Sequence, residues 1–398
     1  MTMSVRTRER VAGGSCLLAM AVALTYVLIR AASSDLVDLH VYRVGGQAWL
    51  EGVRLYAPGF PKPLAGPALP FTYPPIAAVL FSGLALVPWL LAVLVWTVAG
   101  LALLTLVCVI GARDMGWSAE RTLVTGLGLA AGSVLLEPVR TTLEFGQINL
   151  LIMGLVAVDC LLPKTKWPRG LLIGFAAAVK LTPLVFVLFF LPRKQFKPVF
   201  TAIASFVGFG LAGFALAPTD TKQYWFVSLL DPGRVGGLAY SGNQSLRGMV
   251  HRLGMAEFPT SATWAVLSLG VVALAWVAVV RAGDDRLSAL LAVAVCGLLI
   301  SPVSWTHHWV WIAPGLLLLV HRSRLWTALL ALLFTVPPTL FLPNSDDREL
   351  SWAWWQHLLG DSYVLAGLAV LVVLATAVGR QRGASDSQVT ASVPDNQG

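Results

Sequence analysis

The stretch Asp35–Arg43, which reads DLVDLHVYR, directly follows the apolar run Val11–Ala32. That run is long enough to cross the ~30 Å hydrocarbon core of a bilayer, which takes about 20 residues of α-helix. A second apolar run begins at Pro75, so the polar and aromatic residues of 33–73 form a loop between two membrane-embedded segments. Carboxylates this close to a span are poorly explained by anchoring alone. The stretch therefore predicts a membrane protein with chemistry at the membrane surface.

The composition of the whole chain supports a polytopic membrane protein. Of its 398 residues, 57% are hydrophobic and 12% are charged, and the mean hydropathy is +0.75, whereas a soluble domain carries about 25% charged residues. The net charge of +8 comes from short basic clusters between apolar runs, such as Arg6–Arg10, Lys164–Arg169 and His321–Arg324. Basic loops of this kind mark the cytoplasmic side of a membrane protein. The charge therefore indicates topology and argues against a nucleic-acid partner.

The four cysteines give no sign of a disulfide or a metal centre. All lie within apolar runs and none forms a CxxC pair, so we expect small core residues. The N-terminal segment has the basic and apolar regions of a signal peptide, followed by Ala31-Ala32-Ser33. Because Val11–Ala32 can span the bilayer, we favour an uncleaved signal-anchor. Neither a metal nor a cofactor is predicted.

Hydropathy and the basic clusters together predict an all-α protein with about 12 transmembrane or re-entrant helices. Residues 1–380 are expected to form one membrane-embedded domain, and 381–398 a disordered cytoplasmic tail. Both termini are then cytoplasmic. The run 75–112 is too long for one simple span, and we expect a break near Pro88. The predicted runs are 11–32, 75–112, 121–138, 147–162, 170–192, 196–217, 262–281, 286–303, 306–320, 324–342 and 361–379.

The run 170–192 carries a basic cluster at each end, which places both ends on the same side of the membrane. A single span cannot do this, so we predict a re-entrant hairpin with Lys180 and Pro183 at its tip. Proline interrupts a helix because it lacks the backbone N–H. A lysine at the centre of a lipid-exposed helix would cost roughly 2.5–3.5 kcal/mol. We therefore expect Lys180 to face a cavity.

The first outer loop contains two candidate carboxylates, Asp35 and Asp38. Three residues apart, they would face the same way on a helical turn. Either can instead cap a short helix after the span, and this alternative is stronger for Asp35. Asp38 lies nearer to the aromatic patch of His40, Tyr42 and Trp49. We therefore choose Asp38 as the general base, a group that must reach the proton of the attacking nucleophile.

A second polar constellation is Ser301–Trp311, which reads SPVSWTHHWVW. Adjacent residues on a helix diverge by about 100°, so His307 and His308 suit a shared metal poorly. We expect one histidine to bind phosphate or orient a hydroxyl and the other to pack, with chance placement at an interface as the alternative. Trp305 is expected at the site, whereas the later tryptophans fit an aromatic belt.

Two further segments supply hydrogen-bond donors on the predicted outer face. The 218–261 loop is rich in glycine and carries guanidinium and amide groups that suit sugar hydroxyls or phosphate oxygens. The segment Glu144–Asn149 (EFGQIN) is equally well explained as a capped loop. No Walker motif or GxGxxG fingerprint is present. A lipid-phosphate sugar is therefore a better donor than a soluble nucleotide sugar.

In these motifs the chain resembles the polyprenol-phosphate-mannose-dependent alpha-(1→2)-mannosyltransferases of glycosyltransferase family 87, which are integral membrane enzymes of the GT-C fold. The resemblance covers roughly residues 30–380. It rests on DLHVY at 38–42, FTYPP at 71–75, GQIN at 146–149, KLTP at 180–183, RVGG at 234–237, GNQSLR at 242–247 and SWTHH at 304–308.

The resemblance implies an inverting enzyme that moves mannose from polyprenyl-phosphate-mannose to a mannoside or glycolipid acceptor on the outer face of the cell membrane. Asp38 would be the catalytic base, with His307 and His308 as further catalytic residues. Lys180, Arg247 and a histidine would stabilise the departing phosphate. The expected substrate-binding residues are Asp35, Tyr42, Tyr73, Gln147, Asn149, Lys180, Arg234, Asn243, Gln244, Arg247 and Trp305.

Two other functions remain open at this point. A GT-C enzyme that uses another polyprenyl-phosphate sugar, such as arabinose, would share the base and differ in the shape of its sugar subsite. A lipid or sugar transporter would place its polar groups near the bilayer midplane and usually shows internal repeats. Here the polar groups fall on one predicted face and no repeat is evident, which disfavours a transporter.

Overall fold

A computed structural model describes residues 5–61 and 69–376, and every regular element in these ranges is helical. The predicted disorder of the tail 381–398 lies outside the described residues. The α-helices are α1 Val5–Ser33, α2 Val37–Leu50, α3 Pro75–Ala85, α4 Trp89–Asp114, α5 Ala119–Ser133, α6 Glu137–Phe145, α7 Asn149–Leu161, α8 Leu171–Val179, α9 Phe196–Leu216, α10 Pro218–Phe226, α11 Leu246–His251, α12 Glu257–Ala282, α13 Arg286–Ile300, α14 Ile312–Arg322, α15 Arg324–Thr335, α16 Trp354–Gly360 and α17 Ser362–Thr376. Short 3-10 helices cover Thr182–Phe189, Leu191–Arg193, Ser228–Leu230, Pro232–Val235, Thr306–Trp311, Pro338–Phe341 and Arg348–Ser351.

Four helices within the described ranges are long and apolar enough to cross a membrane: the Gly13–Ala31 part of α1, α4, α9 and α12. Two bent pairs, α5 with α6 (70°) and α16 with α17 (67°), bring the number to six if each pair is one span. The apolar helices confirm a membrane protein of all-α class. The predicted number of about 12 transmembrane or re-entrant helices is not confirmed.

The difference in helix number has a physical origin. Three predicted runs, 147–162, 286–303 and 324–342, contain helices of only 13, 15 and 12 residues. At 1.5 Å per residue these helices fall short of the ~30 Å hydrocarbon core. Most residues of α13 are buried against the rest of the protein. Hydropathy measures removal from water, and it does not distinguish burial in protein from burial in lipid.

The long apolar run 75–112 is interrupted near a proline, as the sequence predicts. The run 75–112 is divided into α3 and α4, and Pro88 is the residue directly before α4, with an extended backbone (φ −55°, ψ 145°). Proline fits there because the first N–H groups of a helix have no intrahelical acceptor. The expected break near Pro88 is therefore present.

The segment 170–192 also reverses as predicted. α8 ends at Val179, the next residue Lys180 has an extended backbone (φ −147°, ψ 119°), and a 3-10 helix begins at Thr182. The chain then returns to the start of this segment. A Cβ added at Gly170 would lie only 2.1 Å from the carbonyl oxygen of Pro198, which follows the segment. Glycine is also required there by a φ of +99°. The segment is therefore a hairpin with Lys180 at its turn.

Candidate active site

Asp38 lies in the first turn of α2, and the local backbone explains why its carboxylate is available. α2 begins after Leu36, which adopts a left-handed conformation (φ 42°) and makes no side-chain capping bond. Neither Asp35 nor Asp38 is the capping residue, so the capping alternative does not apply to this helix. The side chain of Asp38 is half-buried, whereas Asp35 is exposed to solvent. The structure therefore does not bring Asp35 to the site.

Gln147 is fixed next to Asp38 by a tight helix–loop contact. Gly146 has a φ of +64°, and a Cβ there would lie 2.6 Å from the Cβ of Leu39 in the first turn of α2. This close approach needs glycine. It places Gln147 directly beside the start of α2, and the Gln147 side chain hydrogen-bonds the carboxyl of Asp38.

Two buried tyrosines orient the amide of Gln147. The hydroxyls of Tyr42 and Tyr73 both donate to Gln147 Oε1, at 2.5 and 3.1 Å. The backbone N–H of Ile148 also donates to this oxygen, at 2.9 Å. Because the oxygen is saturated with donors, the amide nitrogen is the group left to donate to Asp38. Tyr42 and Tyr73 therefore contribute to the site by orienting Gln147.

The surroundings of Asp38 act on its pKa in opposite directions. Burial raises the pKa of Asp38, because a carboxylate loses hydration there. The positive charge of Lys180 and the hydrogen bond from Gln147 lower it, and burial is the larger effect. The carboxyl is thus more basic than an exposed aspartate, which suits a general base.

Lys180 at the hairpin turn is connected to the same group of residues. Its Nζ donates to Asn149 Oδ1 at 3.0 Å and lies 5.6 Å from the ring centroid of Tyr73. Asn149 in turn donates from Nδ2 to the carbonyl oxygen of His307, at 2.8 Å. No carboxylate among the described residues lies within 4.0 Å of the Lys180 ammonium. One amide therefore joins the cation to the histidine segment.

The two histidines have different surroundings. His308 lines a cavity of about 60 Å³ together with Lys180, Asn149 and Ser304. His307 is buried, its ring packs edge-on against Phe145, and its Nε2 has no hydrogen-bond partner in the described part of the chain. The cavity is small against the 300–1,000 Å³ of typical ligand pockets, so it suits a small polar group and not a whole sugar. One histidine thus lines the cavity and the other packs against Phe145, and their roles in binding phosphate or orienting a hydroxyl stay a prediction.

The described residues contain no group of three histidine, cysteine, aspartate or glutamate side chains arranged to hold a metal ion. The rings of His307 and His308 are nearly perpendicular, with centroids 4.8 Å apart. The perpendicular rings therefore suit separate roles for His307 and His308.

Asn243 and Gln244, which we expected to bind substrate, are completely buried and bonded within the protein. Asn243 accepts from the N–H of Ser304 at 3.0 Å and donates to the carbonyl oxygens of Leu238 and Pro302. The Nε2 of Gln244 donates to two other carbonyls, and its Oε1 accepts from Tyr363 N at 3.1 Å. No amide donor remains for a ligand, so these contacts join loops and do not support substrate binding.

Trp305 belongs to this junction. Its backbone forms an antiparallel bridge with Asn243, and its ring lies 6.0 Å from that of Tyr240. The bridge holds the segment that leads into the two histidines. The segments GNQS and SWTHH are therefore adjacent in space. The side-chain amide of Asn243 takes part in this pairing and does not face a ligand.

Two predicted phosphate ligands lie away from the Lys180 cavity. Arg247 forms an ion pair with Glu257 at 3.0 Å and stacks 5.2 Å from the ring centroid of Trp264. Arg234 donates to the carbonyl of Tyr56 at 3.4 Å. Neither guanidinium lines that cavity. The spacing of these arginines along the sequence carried no information about their partners.

Glu137 is a site residue that the sequence reasoning missed. Its Oε1 accepts from Thr306 Oγ1 at 2.8 Å, and its Oε2 accepts from the hydroxyl of Tyr363 at 3.1 Å. Thr142, one turn later, donates to the carbonyl of His307 at 2.8 Å. Together they anchor the histidine segment to α6. The available signal was a carboxylate inside the apolar run 121–138, which needs a polar partner when buried.

The geometry therefore assembles a basic carboxylate, an ammonium and a cavity-facing histidine from three distant parts of the chain. Comparison with known proteins supports the family resemblance that the sequence motifs indicate. The model of glycosyltransferase family 87 matches residues 71–302. No solved structure matches the chain.

Curated relatives align over most of the chain. A polyprenol-phosphate-mannose-dependent alpha-(1-2)-phosphatidylinositol mannoside mannosyltransferase of Mycolicibacterium smegmatis is 39% identical over 385 residues, which is 89% of this chain and 87% of the relative. The protein of the same description from Mycobacterium tuberculosis is 39% identical over 366 residues, 86% and 85% of the two chains. A phosphatidylinositol pentamannoside mannosyltransferase of M. tuberculosis, also polyprenol-phosphate-mannose-dependent, is 36% identical over 368 residues, 89% and 84%. On this evidence the chain belongs to glycosyltransferase family 87.

Proposed function

We propose that this chain transfers mannose from polyprenyl-phosphate-mannose to a phosphatidylinositol mannoside or another mannoside acceptor, and forms an alpha-(1→2) linkage with inversion. One observation carries the proposal: Asp38 lies beside Gln147, and Lys180 is in the same group without a carboxylate within 4.0 Å. A base and an unpaired cation are what deprotonation of a hydroxyl and departure of a phosphate require. The printed names of the relatives supply the sugar and the acceptor class.

In the proposed reaction the carboxylate of Asp38 accepts the proton of the acceptor 2-hydroxyl. The oxygen attacks the anomeric carbon of the mannose, and the bond from that carbon to the phosphate oxygen breaks on the opposite face. The electron pair leaves with the phosphate, so polyprenyl phosphate is released and the beta-linked donor becomes an alpha-mannoside. Gln147 keeps the carboxylate oriented, because its amide is fixed by Tyr42 and Tyr73.

The leaving phosphate would be stabilised by Lys180 and His308, which line one cavity. The ammonium of Lys180 supplies positive charge and the ring of His308 an N–H donor, and preorganised groups of this kind at the position of developing negative charge are among the strongest contributors to catalysis. His307 would contribute through its backbone, whose carbonyl is bonded by Thr142 and Asn149. Arg247 is less suited to this role than expected, since its guanidinium is already paired with Glu257.

We further assign residues 1–380 to a single GT-C catalytic domain, with both termini cytoplasmic and Asp38 on the outer side. Arg193 shortly precedes α9 and Lys197 lies in its first turn, and Trp49 of α2 donates to the carbonyl of Leu216 at the other end of α9. Basic residues favour the cytoplasmic end of a span, so the helix that carries Asp38 is assigned to the opposite side.

The proposed function can be tested with purified protein, synthetic polyprenyl-phosphate-mannose and a panel of phosphatidylinositol mannosides and short mannosides. We expect a new mannoside that an alpha-(1→2)-specific exomannosidase removes. A parallel incubation with a polyprenyl-phosphate arabinose tests the alternative sugar. Transfer of arabinose in place of mannose, or a product resistant to the exomannosidase, would contradict the proposal.

A further inference from the structure

A basic cleft lies at the end of α9 that is opposite to the α2 helix of Asp38, and the end of α12 lies beside the same cleft. α9 begins at Phe196 in the cleft and ends at Leu216, whose carbonyl accepts from Trp49 Nε1 on α2 at 3.2 Å. α12 ends at Ala282, and the next residue, Gly283, accepts a hydrogen bond from Arg193 at 3.0 Å. Both helices are long and apolar enough to cross a bilayer. The cleft therefore lies at the ends of two helices that are able to span a bilayer.

The cleft has a volume of about 630 Å³ and a strongly positive lining. Two arms of the Lys180 hairpin and the start of α13 contribute to it, and no aspartate or glutamate is among the lining residues. The cations in the lining are Arg169, Arg193, Lys194, Lys197 and Arg286.

The guanidinium groups are fixed by backbone carbonyls and not by carboxylates. Arg169 donates to the carbonyls of Asp159 and Leu162, at 2.9 and 2.5 Å, and Arg286 donates to the carbonyl of Leu162 at 3.1 Å. None of the cleft cations takes part in an ion pair within 4.0 Å among the described residues. Carbonyl oxygens orient these groups and carry only partial charge. The nearby carboxylates of Asp114, Asp159 and Asp285 offset part of the charge of the five cations, and the cleft stays positive.

The carboxylates of Asp159 and Asp285 make their hydrogen bonds to neutral groups and none to the cleft arginines. Asp159 accepts hydrogen bonds from Trp167 Nε1 and from the N–H groups of Gly170, Leu172 and Ile173. Asp285 caps the first turn of α13. In contrast, Nε of Arg193 is buried and has no hydrogen-bond partner in the described ranges. Cytoplasmic topology accounts for basic residues in these loops, but it does not account for half-buried guanidinium groups that converge on one cleft.

We propose that this cleft binds the phosphate of an anionic phospholipid from the leaflet that faces it. Arg193 and Arg286 keep guanidinium N–H groups that no carbonyl of the described residues accepts, and such groups match the oxygens of a phosphodiester. The lysines add attraction for a negatively charged headgroup. Phe196 and Phe200 are exposed on α9 next to the cleft and offer an apolar surface for an acyl chain. A free phosphate ion shares the headgroup chemistry but lacks the chain. The proposal does not depend on the sugar-transfer reaction.

The test compares lipid binding by the full-length protein in two matched pairs of substitutions. Lys194→Asn with Lys197→Gln removes two exposed cations from the cleft, and asparagine tolerates the left-handed backbone of position 194 (φ 57°). Lys164→Gln with Lys166→Gln removes two exposed cations from the loop between α7 and α8, outside the cleft lining. Native mass spectrometry in detergent measures bound phosphatidylglycerol, with phosphatidylcholine and inorganic phosphate as comparison ligands.

We expect the wild type to retain phosphatidylglycerol in preference to phosphatidylcholine. The cleft pair should weaken this binding about thirtyfold, since each of its two basic residues contributes on the order of 1 kcal/mol near a headgroup. The control pair should leave it within about twofold. Arg193→Gln should weaken it as well. Equal loss in both pairs, or equal retention of the two lipids, would overturn the proposal. Displacement of the lipid by an equal concentration of inorganic phosphate would also overturn it, in favour of a soluble phosphate site.

Discussion

Two pairs of neutral amides, Gln147 with Asn149 and Asn243 with Gln244, read alike in the sequence but have different partners in the structure. The first pair is bonded to charged side chains: Gln147 to Asp38, and Asn149 to Lys180. The second pair is bonded almost entirely to backbone groups of neighbouring loops. Both pairs are buried. The comparison teaches that a buried amide indicates a functional site only when it binds a side chain that can take part in the reaction.

The most severe loss is expected from Asp38→Asn, since an amide cannot accept the proton of the acceptor hydroxyl. Loss of a general base typically lowers the rate about 10²–10⁴-fold. The measurement is mannosyl transfer by purified protein, with membrane insertion checked in parallel. Asp35→Asn is the matched control: its side chain is exposed, and its activity should stay near that of the wild type. A nearly normal rate for Asp38→Asn together with an inactive Asp35→Asn would move the base to Asp35.

Lys180→Met is expected to lower the transfer rate about 10²–10³-fold, the usual effect of removing a group that stabilises a developing anion. The melting temperature should stay close to that of the wild type, because the cost of burying the cation is removed together with its attraction to Asp38. Lys180→Arg should recover part of the activity, since the charge is kept with altered geometry. If Lys180→Met binds and uses the donor like the wild type, the lysine only marks the hairpin turn.

Matched substitutions in the two amide pairs test the comparison itself. Gln147→Met should lower the transfer rate about tenfold, the effect of one lost hydrogen bond to a charged group. Gln244→Met should leave the rate per folded molecule unchanged and lower the free energy of unfolding by about 2–3 kcal/mol, because two carbonyls and an N–H lose their partner. The reverse pattern in activity and thermal unfolding would mean that the two pairs have been assigned the wrong roles.

The smallest effect is expected from Arg247→Gln. Its partner Glu257 is 65% exposed, and exposed ion pairs contribute only about 0–1 kcal/mol to stability. Activity should remain within about threefold of the wild type, since less than 1 kcal/mol is at stake. A hundredfold loss of transfer in a folded Arg247→Gln protein would return this arginine to the phosphate site.

Much of the architecture was predictable because its causes are local. Pro88 favours a break between two helices because it lacks a backbone N–H, and basic clusters at both ends of 170–192 require the chain to turn near Lys180. The number of spans was not predictable in the same way. The helices α7 and α13 are as apolar as true spans, but they are packed inside the protein. Only the tertiary contacts reveal that difference.

The site was predictable in part for a related reason. A carboxylate and a lysine next to apolar runs stand out, because such groups are costly to bury without a purpose. The partners of amides and arginines depend instead on distant segments, as with Gln244 and Tyr363 or Arg247 and Glu257. Glu137 was overlooked because the sequence around it gives no indication that Thr306 and Tyr363 are its hydrogen-bond partners.

The central claim is that Asp38 acts as the base under the influence of Lys180, and the pH dependence of kcat/KM tests it most directly. The base must be deprotonated, and burial raises the pKa of Asp38, so activity should fall on acidification at a pH above the usual range of aspartate. The charge of Lys180 lowers this pKa, so in Lys180→Met the acidic limb should move to higher pH while its shape is kept. An identical acidic limb in the wild type and Lys180→Met would contradict the account.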